Sequence, residues 1–413
     1  MKSTPNFTAR MFFLLFAFFV LPSCEKIFNF PLPHPGKDPK VKKVHVSTVN
    51  ELYAAINDPS NAGSQIVLAP GTYTLAADRP NGGRLELQHD MKLQGQAGHP
   101  ERVIIDASAL PASSVFLPLT SFPGMLRTGG IRTGRGSNAI EWLTLIGNAN
   151  ALSVIDTDLN GTPTTYLKVA HCIIKDGRFG IDLRNRDEES NGRIIEAEIT
   201  DNELMGFVLP NPNGVGIAMQ NSRNVHGAAI RAKLGKNYIH GNMIGIAAYN
   251  VVGNQCRIEV ASISDRIEAN GLGLSLWAGL NQYPNFVAND NAITFAVHGA
   301  IIRNNQGTPA PVETVPGGIA AFGGQVNPTS LPGTVNNNVL NLSLWDCQVE
   351  GNLGPYQINA FGARSLYTSS NNPAGTNNVV NIDLHGVSKG ASVNVVPSLP
   401  TEPAGTNKVN VYR

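Results

Sequence analysis

Seven times from residue 145 onward, the chain repeats one short pattern: apolar-x-x-Asn-x-x-Gly-apolar-x-apolar. The clearest copies are Leu145/Asn148/Ala151/Leu152/Val154, Ile239/Asn242/Gly245/Ile246/Ala248 and Ile267/Asn270/Gly273/Leu274/Leu276. Ile174/Gly177/Gly180/Ile181/Leu183 keeps the spacing with Gly in place of Asn. Looser copies begin at Ile199 (Asn202, Gly206), Ile302 (Asn305, with a loop before Gly318) and Val349 (Asn352, Gly354). A unit this short cannot bury its own apolar face and must stack on its neighbours, so a solenoid is predicted. Period-two starts precede the later copies at Asn254, Asn291, Asn338, Asn378 and Asn407, the mark of strands with one buried face.

Each coil therefore reads as a strand, a turn with Asn, a strand after Gly, and a variable loop, giving roughly nine or ten coils. The Asn side chains are expected to stack as a ladder. Gly and Asn suit turns that need positive φ. Surplus residues must leave as loops, here expected from a single edge, at about 185–193, 209–228, 279–290, 306–317, 323–337 and 362–377. Insertions on one face of a solenoid often form its binding face.

Formal net charge is +1 and 15% of the 413 residues are charged, which gives no electrostatic footprint for nucleic acid. Cys172, Cys256 and Cys347 form neither a CxxC nor an even set, so no disulfide framework or zinc site is read from them. Cys172 and Cys347 each stand two residues before a repeat start and are expected as small buried hydrophobes in one stack.

The N-terminus reads as a targeting segment. Lys2 and Arg10 supply its positive charge, Met11 to Val20 is apolar, and Leu21-Pro22-Ser23-Cys24 resembles a bacterial lipobox. That resemblance implies a lipoprotein signal peptide at 1–24 and lipidation of Cys24. An ordinary cleaved signal peptide is the alternative. Residues 25–43, with Pro31, Pro33, Pro35 and Pro39, read as an extended tether, and 44–413 as the solenoid domain. The expected location is the bacterial cell envelope, at the outer membrane or cell surface, with the lipid as membrane anchor.

Val44-His45-Val46 reads as a strand. Thr48-Val49-Asn50-Glu51 fits a capping box, with Val49, Leu52 and Ile56 on one helical face. Ile66-Val67-Leu68, Ala69-Pro70-Gly71-Thr72-Tyr73, Met91 to Gly95 and Val103 to Asp106 follow. Over about 44–106 this resembles the N-terminal region of the pectate-lyase-like superfamily; from 138 to 413 the likeness is generic. The resemblance implies an all-β fold: a single-stranded, right-handed parallel β-helix with a short N-terminal capping helix. It also points to polysaccharide as the ligand class. Neither the Asp-rich calcium site and Arg motif of pectate lyases nor the Asn-Thr-Asp, Asp-Asp and Gly-His-Gly pattern of polygalacturonases is legible. No cofactor or metal is assigned, and calcium is left open.

Aligning the repeats yields two candidate constellations. Tyr249, Trp277, Phe322 and Phe361 fall at equivalent positions, where Arg184 stands in an earlier coil. They read either as a row of sugar-gripping rings or as an aromatic stack packed under the loops. The second constellation is charged. Lys175, Arg178 and Arg184 could supply the base and the carboxylate-neutralising cation of a polysaccharide lyase. Asp182, with Asp176 or Asp156, could serve as the acid–base pair of a glycoside hydrolase. The same residues also read as a solvated charged rim. The function expected is a cell-envelope lipoprotein engaging polysaccharide on its loop-bearing side, as a lyase or hydrolase. The alternative is a non-catalytic surface or adhesion protein that binds glycan or protein.

Overall fold

The structure, a computed structural model, describes residues 41–110, 129–148, 153–157, 164–208, 214–281, 286–306, 317–326, 334–365, 375–389, 391–399 and 406–413. Cys24, most of the tether, and Ala151 and Leu152 of the first repeat lie outside them. Successive turns of the chain add strands to three parallel sheets of twelve, nine and ten strands, here called first, second and third. This is the right-handed parallel β-helix, an all-β solenoid. The first sheet has more rungs than the nine or ten coils read from the repeat, because its strands continue past the repeat at both ends.

Helix α1 (Val49–Asn57) covers the open end of the first coil. Thr48 and Glu51 form its reciprocal capping box, and Leu52, Tyr53, Ala55 and Ile56 are buried beneath it. Along the axis, inward side chains of the three sheets merge into one core running from Val46 to Ala391. Ile246, Ala248 and Leu274 belong to it, as their alternation predicts.

Register fixes which copies are equivalent. Leu145, Ile174, Leu204, Ile239, Ile267, Ile302 and Val349 pair in that order along the second sheet. The copy read at Ile199 is therefore misplaced. Ile199 lies in the first sheet opposite Val169 and Leu234, and Leu204 with Phe207 fills the repeat position. Ile199/Asn202 imitates the spacing because the corner before the second sheet carries an Asn ladder of its own. There Asn202 Nδ2 donates to Asn237 Oδ1 (3.0 Å) and Asn237 Nδ2 to Asp265 Oδ1 (2.9 Å). The first-sheet start read at Asn254 is displaced in the same way. Cys256, not Asn254, is level with Asn291, whose Oδ1 accepts from the Cys256 N–H (2.9 Å).

The main ladder stands at the corner between second and third sheets. The Asn242 N–H donates to Asn270 Oδ1 (3.1 Å), and the same bond joins Asn270 to Asn305 and Asn305 to Asn352 (3.0 Å each). Each amide also donates to a backbone carbonyl of the preceding rung, for example Asn270 Nδ2 to Ile239 O at 3.0 Å. All four residues are buried, so these bonds satisfy polar groups that water cannot reach.

The repeat Gly has a different cause from the one expected. At Gly245, Gly273 and Gly318 φ is not positive; the left-handed position is the residue before the Asn, at Gly241, Ala269, Asn304 and Gly351 (φ 64, 54, 56 and 63). Gly is needed because a Cβ at Gly245 would lie 2.7 Å from Gly273 O, and one at Gly273 would lie 2.5 Å from Gly318 O.

Candidate functional site

The longest connecting segments fall at two corners, not one. Those near 111–128, 209–213 and 307–316 join the second sheet to the third; those near 282–285, 327–333 and 366–374 join the third sheet to the first. Both corners border the third sheet, and its outer face differs from the others. Strands Leu272–Asn281 and Gly317–Val326 are buried at every residue, although alternation turns half of those side chains away from the core.

One end of this face is charged. Leu85–Glu86, Gly129–Arg132, Ser153–Asp156 and Phe179–Arg186 are neighbouring strands, which places Glu86, Arg132, Asp156 and Asp182 in one column. Arg84 meets Glu86 at 3.0 Å; Arg132 stands 3.7 Å from Glu86 and 3.8 Å from Asp156. Arg184 holds Asp182 with two contacts, Nη2–Oδ2 at 2.7 Å and Nε–Oδ1 at 3.3 Å, and Ser153 Oγ donates to Asp182 Oδ2 (3.1 Å). Arg178 and Arg184 both lie over the Phe179 ring. Ile181 and Leu183 point into the core, so Asp182 and Arg184 face outward as expected. They are nevertheless buried, 1% and 3% exposed, so this part of the cluster is not a solvated rim; Glu188 and Glu189 are exposed.

Lys175 stands apart from this group. It ends the second-sheet strand Ile173–Lys175, around the corner from Asp182 and Arg184, while half-buried Arg178 lies on the corner itself. Asp176 is exposed at positive φ on the same corner; Asp156 is the direct register partner of Asp182. Glu86 and Arg132 escape a repeat-based reading because they precede the repeat, and only strand register brings them to Asp156.

The aromatic column continues the face. Arg184, Gln220, Tyr249, Trp277, Phe322 and Phe361 are successive register partners. Tyr249 stacks on Trp277 (centroids 4.8 Å), Trp277 meets Phe322 edge-on (5.6 Å), and Phe322 stacks on Phe361 (4.9 Å). With Phe179, Val215, Ile244, Leu272 and Leu280 these rings form a second apolar cluster outside the main core. Trp277, Phe322 and Phe361 are buried in it; Tyr249 and Gln220 are half-exposed.

The remaining titratable groups play other parts. Cys172 and Cys347 are buried at the same corner position, and burial pushes the Cys172 thiol up to about 12, far from a thiolate at neutral pH. Cys256 is buried too, its thiol likewise raised to about 12 by burial. Burial raises Asp265 to about 6 against the hydrogen bonds from Ser262 and Asn237 that favour its charged form. His240 ends the strand Tyr238–His240 and contacts Glu203 at 3.0 Å. Among the described residues, no group of three or more His, Cys, Asp or Glu side chains is placed to hold a metal ion. Among them, too, no helix is long and apolar enough to cross a membrane.

No protein-family model matches the chain, and no curated protein does. Among solved structures, the chain is similar to pectate lyase Pel9A, with 14% identity over 88% of this chain and 82% of that one and a TM-score of 0.37. It is similar to a mannuronic-acid-specific family 6 polysaccharide lyase from human gut microbiota (12%, 90% and 78%, TM-score 0.40). A third is the A-module of Azotobacter vinelandii mannuronan C-5 epimerase AlgE4 (15%, 86% and 100%, TM-score 0.36).

Proposed function

We propose that this protein engages polysaccharide along the outer face of the third sheet, held at the cell envelope by a lipid on Cys24. The observation that carries the reading is the shared line of register from Arg184 through Gln220 and Tyr249 to Trp277, Phe322 and Phe361. Of these six side chains Gln220 and Tyr249 reach solvent, so the contact this column offers a polymer is centred on them. The half-exposed Tyr249 ring and Gln220 amide, lying between the charged end and the buried rings, suit a polymer that offers hydroxyl groups and apolar ring faces.

In the catalytic form of this reading, the chemistry falls at the charged end. Lys175, Arg178 or Arg184 serves a lyase as base and carboxylate-neutralising cation, or Asp156 and Asp182 divide acid and base work in a hydrolase. One observation favours the non-catalytic form, a glycan-binding surface protein. Asp182 and Arg184 bind each other with a 2.7 Å contact, which ties up both as proton acceptors.

A panel of neutral and uronate polymers tests both forms. Calorimetry reports binding, absorbance of unsaturated ends reports a lyase, and reducing ends report a hydrolase. Binding with either product signal supports the enzyme; binding without turnover supports the surface protein; no binding to any polymer contradicts both. The anchor rests on Lys2, Arg10, the apolar stretch and the lipobox-like Leu21 to Cys24. Fatty-acid labelling that persists in Cys24→Ala would exclude it.

A further inference from the structure

A concave cleft of about 520 Å³ opens at the corner between the first and second sheets, where the first rungs meet helix α1. His45 and Glu51 border one end, Val67 and Pro70 lie along it, and Gly95 and Gln96 close the other. Its size is that of a small-ligand pocket. Its polar groups are not spent on the fold. Glu51 Oε2 accepts from the Ser47 N–H (2.7 Å), the Ser47 hydroxyl (2.9 Å) and the Thr48 N–H (3.3 Å), while Oε1 accepts none. The bond from the Ser47 backbone holds the Glu51 carboxyl below its ordinary value, so it is ionised at neutral pH. Among the described residues, neither the His45 imidazole nor the Gln96 side-chain amide makes a hydrogen bond.

Strand register carries the cleft on to an aromatic ring. His45, Val67, Gln94 and Glu141 are successive partners, so the residues that follow them, Val46, Leu68, Gly95 and Trp142, stand in one corner column. Val46 and Leu68 turn into the core, and Gly95 has no side chain; a Cβ there would collide with Trp142 O. Half-exposed Trp142 is the first side chain to stand out from this column. His171, one rung further on, stacks on it with centroids 4.0 Å apart and planes at 12°. The opposite face of the indole is thereby turned toward the Gly95 rung. Rungs repeat about every 4.8 Å, so His45 and Trp142 lie roughly 14 Å apart along the axis.

We propose that this cleft binds a short oligosaccharide, whose hydroxyls bond Glu51 Oε1, His45 and Gln96 while a sugar ring packs on the open face of Trp142. A hydroxyl both donates and accepts, so one kind of ligand group serves a carboxylate, which only accepts, and an amide, which does both. Val67 and Pro70 supply an apolar wall for the C–H faces of the sugar. The lining carries the Glu51 carboxylate and no Lys or Arg, and exposed Lys43 stands beside it on the His45 strand. The two charges offset each other, which leaves hydrogen bonding and ring contact to select the ligand. The cleft lies apart from the third-sheet face and does not depend on that face binding polysaccharide.

Calorimetry of the full chain with cellotriose, xylotriose and mannotriose tests this, with trilysine as a cationic probe. The parent protein is compared with Glu51→Gln, Gln96→Ala and Tyr249→Ala. Gln at position 51 still completes the capping box, so the substitution removes the charged acceptor and keeps the helix start. Gln96→Ala lies outside the cap and keeps the test open should Glu51→Gln melt lower. Expected is binding of at least one trisaccharide by the parent, weakened about five- to fiftyfold in Glu51→Gln and in Gln96→Ala. Parental affinity in both variants would overturn the cleft. So would affinity lost in Tyr249→Ala alone, which would move the trisaccharide to the third sheet. Binding of trilysine and of no trisaccharide would make the cleft a cation site and overturn the sugar. A parent that binds none of the four probes would overturn the proposal outright.

Discussion

The first and third sheets are wound from the same turns of chain, yet they treat their outer faces in opposite ways. In the first sheet, strands such as Ala229–Gly235 and Val339–Trp345 alternate between buried and half-exposed side chains, and the outer groups pair across rungs in contact with water. Lys168 meets Glu141 at 2.6 Å, Arg231 lies between Glu196 and Glu259, and Asn341, Asn381 and Asn410 form an outer amide ladder. In the third sheet much of the outer face is withdrawn from water, so the same kinds of residue become buried ion pairs, a ring stack and donors without a hydrogen bond, as at Ser275. The difference teaches where specificity can reside. A polar group that water can satisfy tolerates many neighbours; one that water cannot reach is selective for its partner.

The inner faces set the baseline, since both sheets share one core. Leu274→Asp in the third sheet and Ile293→Asp in the first should be equally ruinous, each above about 4 kcal/mol, because each buries an unpaired charge. A melting curve left unchanged by either would break the inward assignment. The outer faces should then diverge. Arg184→Met leaves Asp182 buried without its cation and should cost about 3–5 kcal/mol. Lys168→Met, at a half-exposed pair, should cost less than about 1 kcal/mol. Equal losses in chemical denaturation would erase the proposed contrast.

Backbone packing gives an intermediate effect. Gly273→Ala forces a methyl against Gly318 O and should cost about 1–3 kcal/mol, with the rungs displaced rather than a turn strained. Asp265→Asn should act in the stabilising direction. Burial lifts Asp265 to about 6 from its ordinary 3.8, so its contribution is complete below about pH 3.8 and is lost as pH rises through about 6. The amide cannot ionise and continues the ladder from Asn237. The variant should therefore melt higher at pH 8, by on the order of 1–3 kcal/mol, with the gain fading below pH 4. A gain that is independent of pH would assign the effect to packing instead.

Sequence reading succeeded where a position demands a particular chemistry. Asn242, Asn270, Asn305 and Asn352 were legible because only an amide bonds to the rungs on both sides, and Thr48 with Glu51 because a capping box is local. It slipped where two ladders share a spacing, at Ile199/Asn202, and where Cys256 takes the place of an Asn. The alignment of Arg184 with Tyr249, Trp277, Phe322 and Phe361 was also legible, since the repeat fixes register. Their burial was not, because cover on an outer face comes from chain far away in sequence. Ser275 carried no signal at all: an unmet hydrogen bond exists only once its neighbours are in place.

The chain has three tryptophans, Trp142, Trp277 and Trp345, and Trp277 alone stands on the third sheet. The most direct measurement is fluorescence of a Trp142→Phe, Trp345→Phe variant titrated with a polymer that calorimetry shows to bind. Occupation of the third-sheet face predicts a saturable change in Trp277 emission with the calorimetric midpoint. Binding of unchanged affinity that leaves Trp277 emission untouched would place the polymer elsewhere and contradict the account.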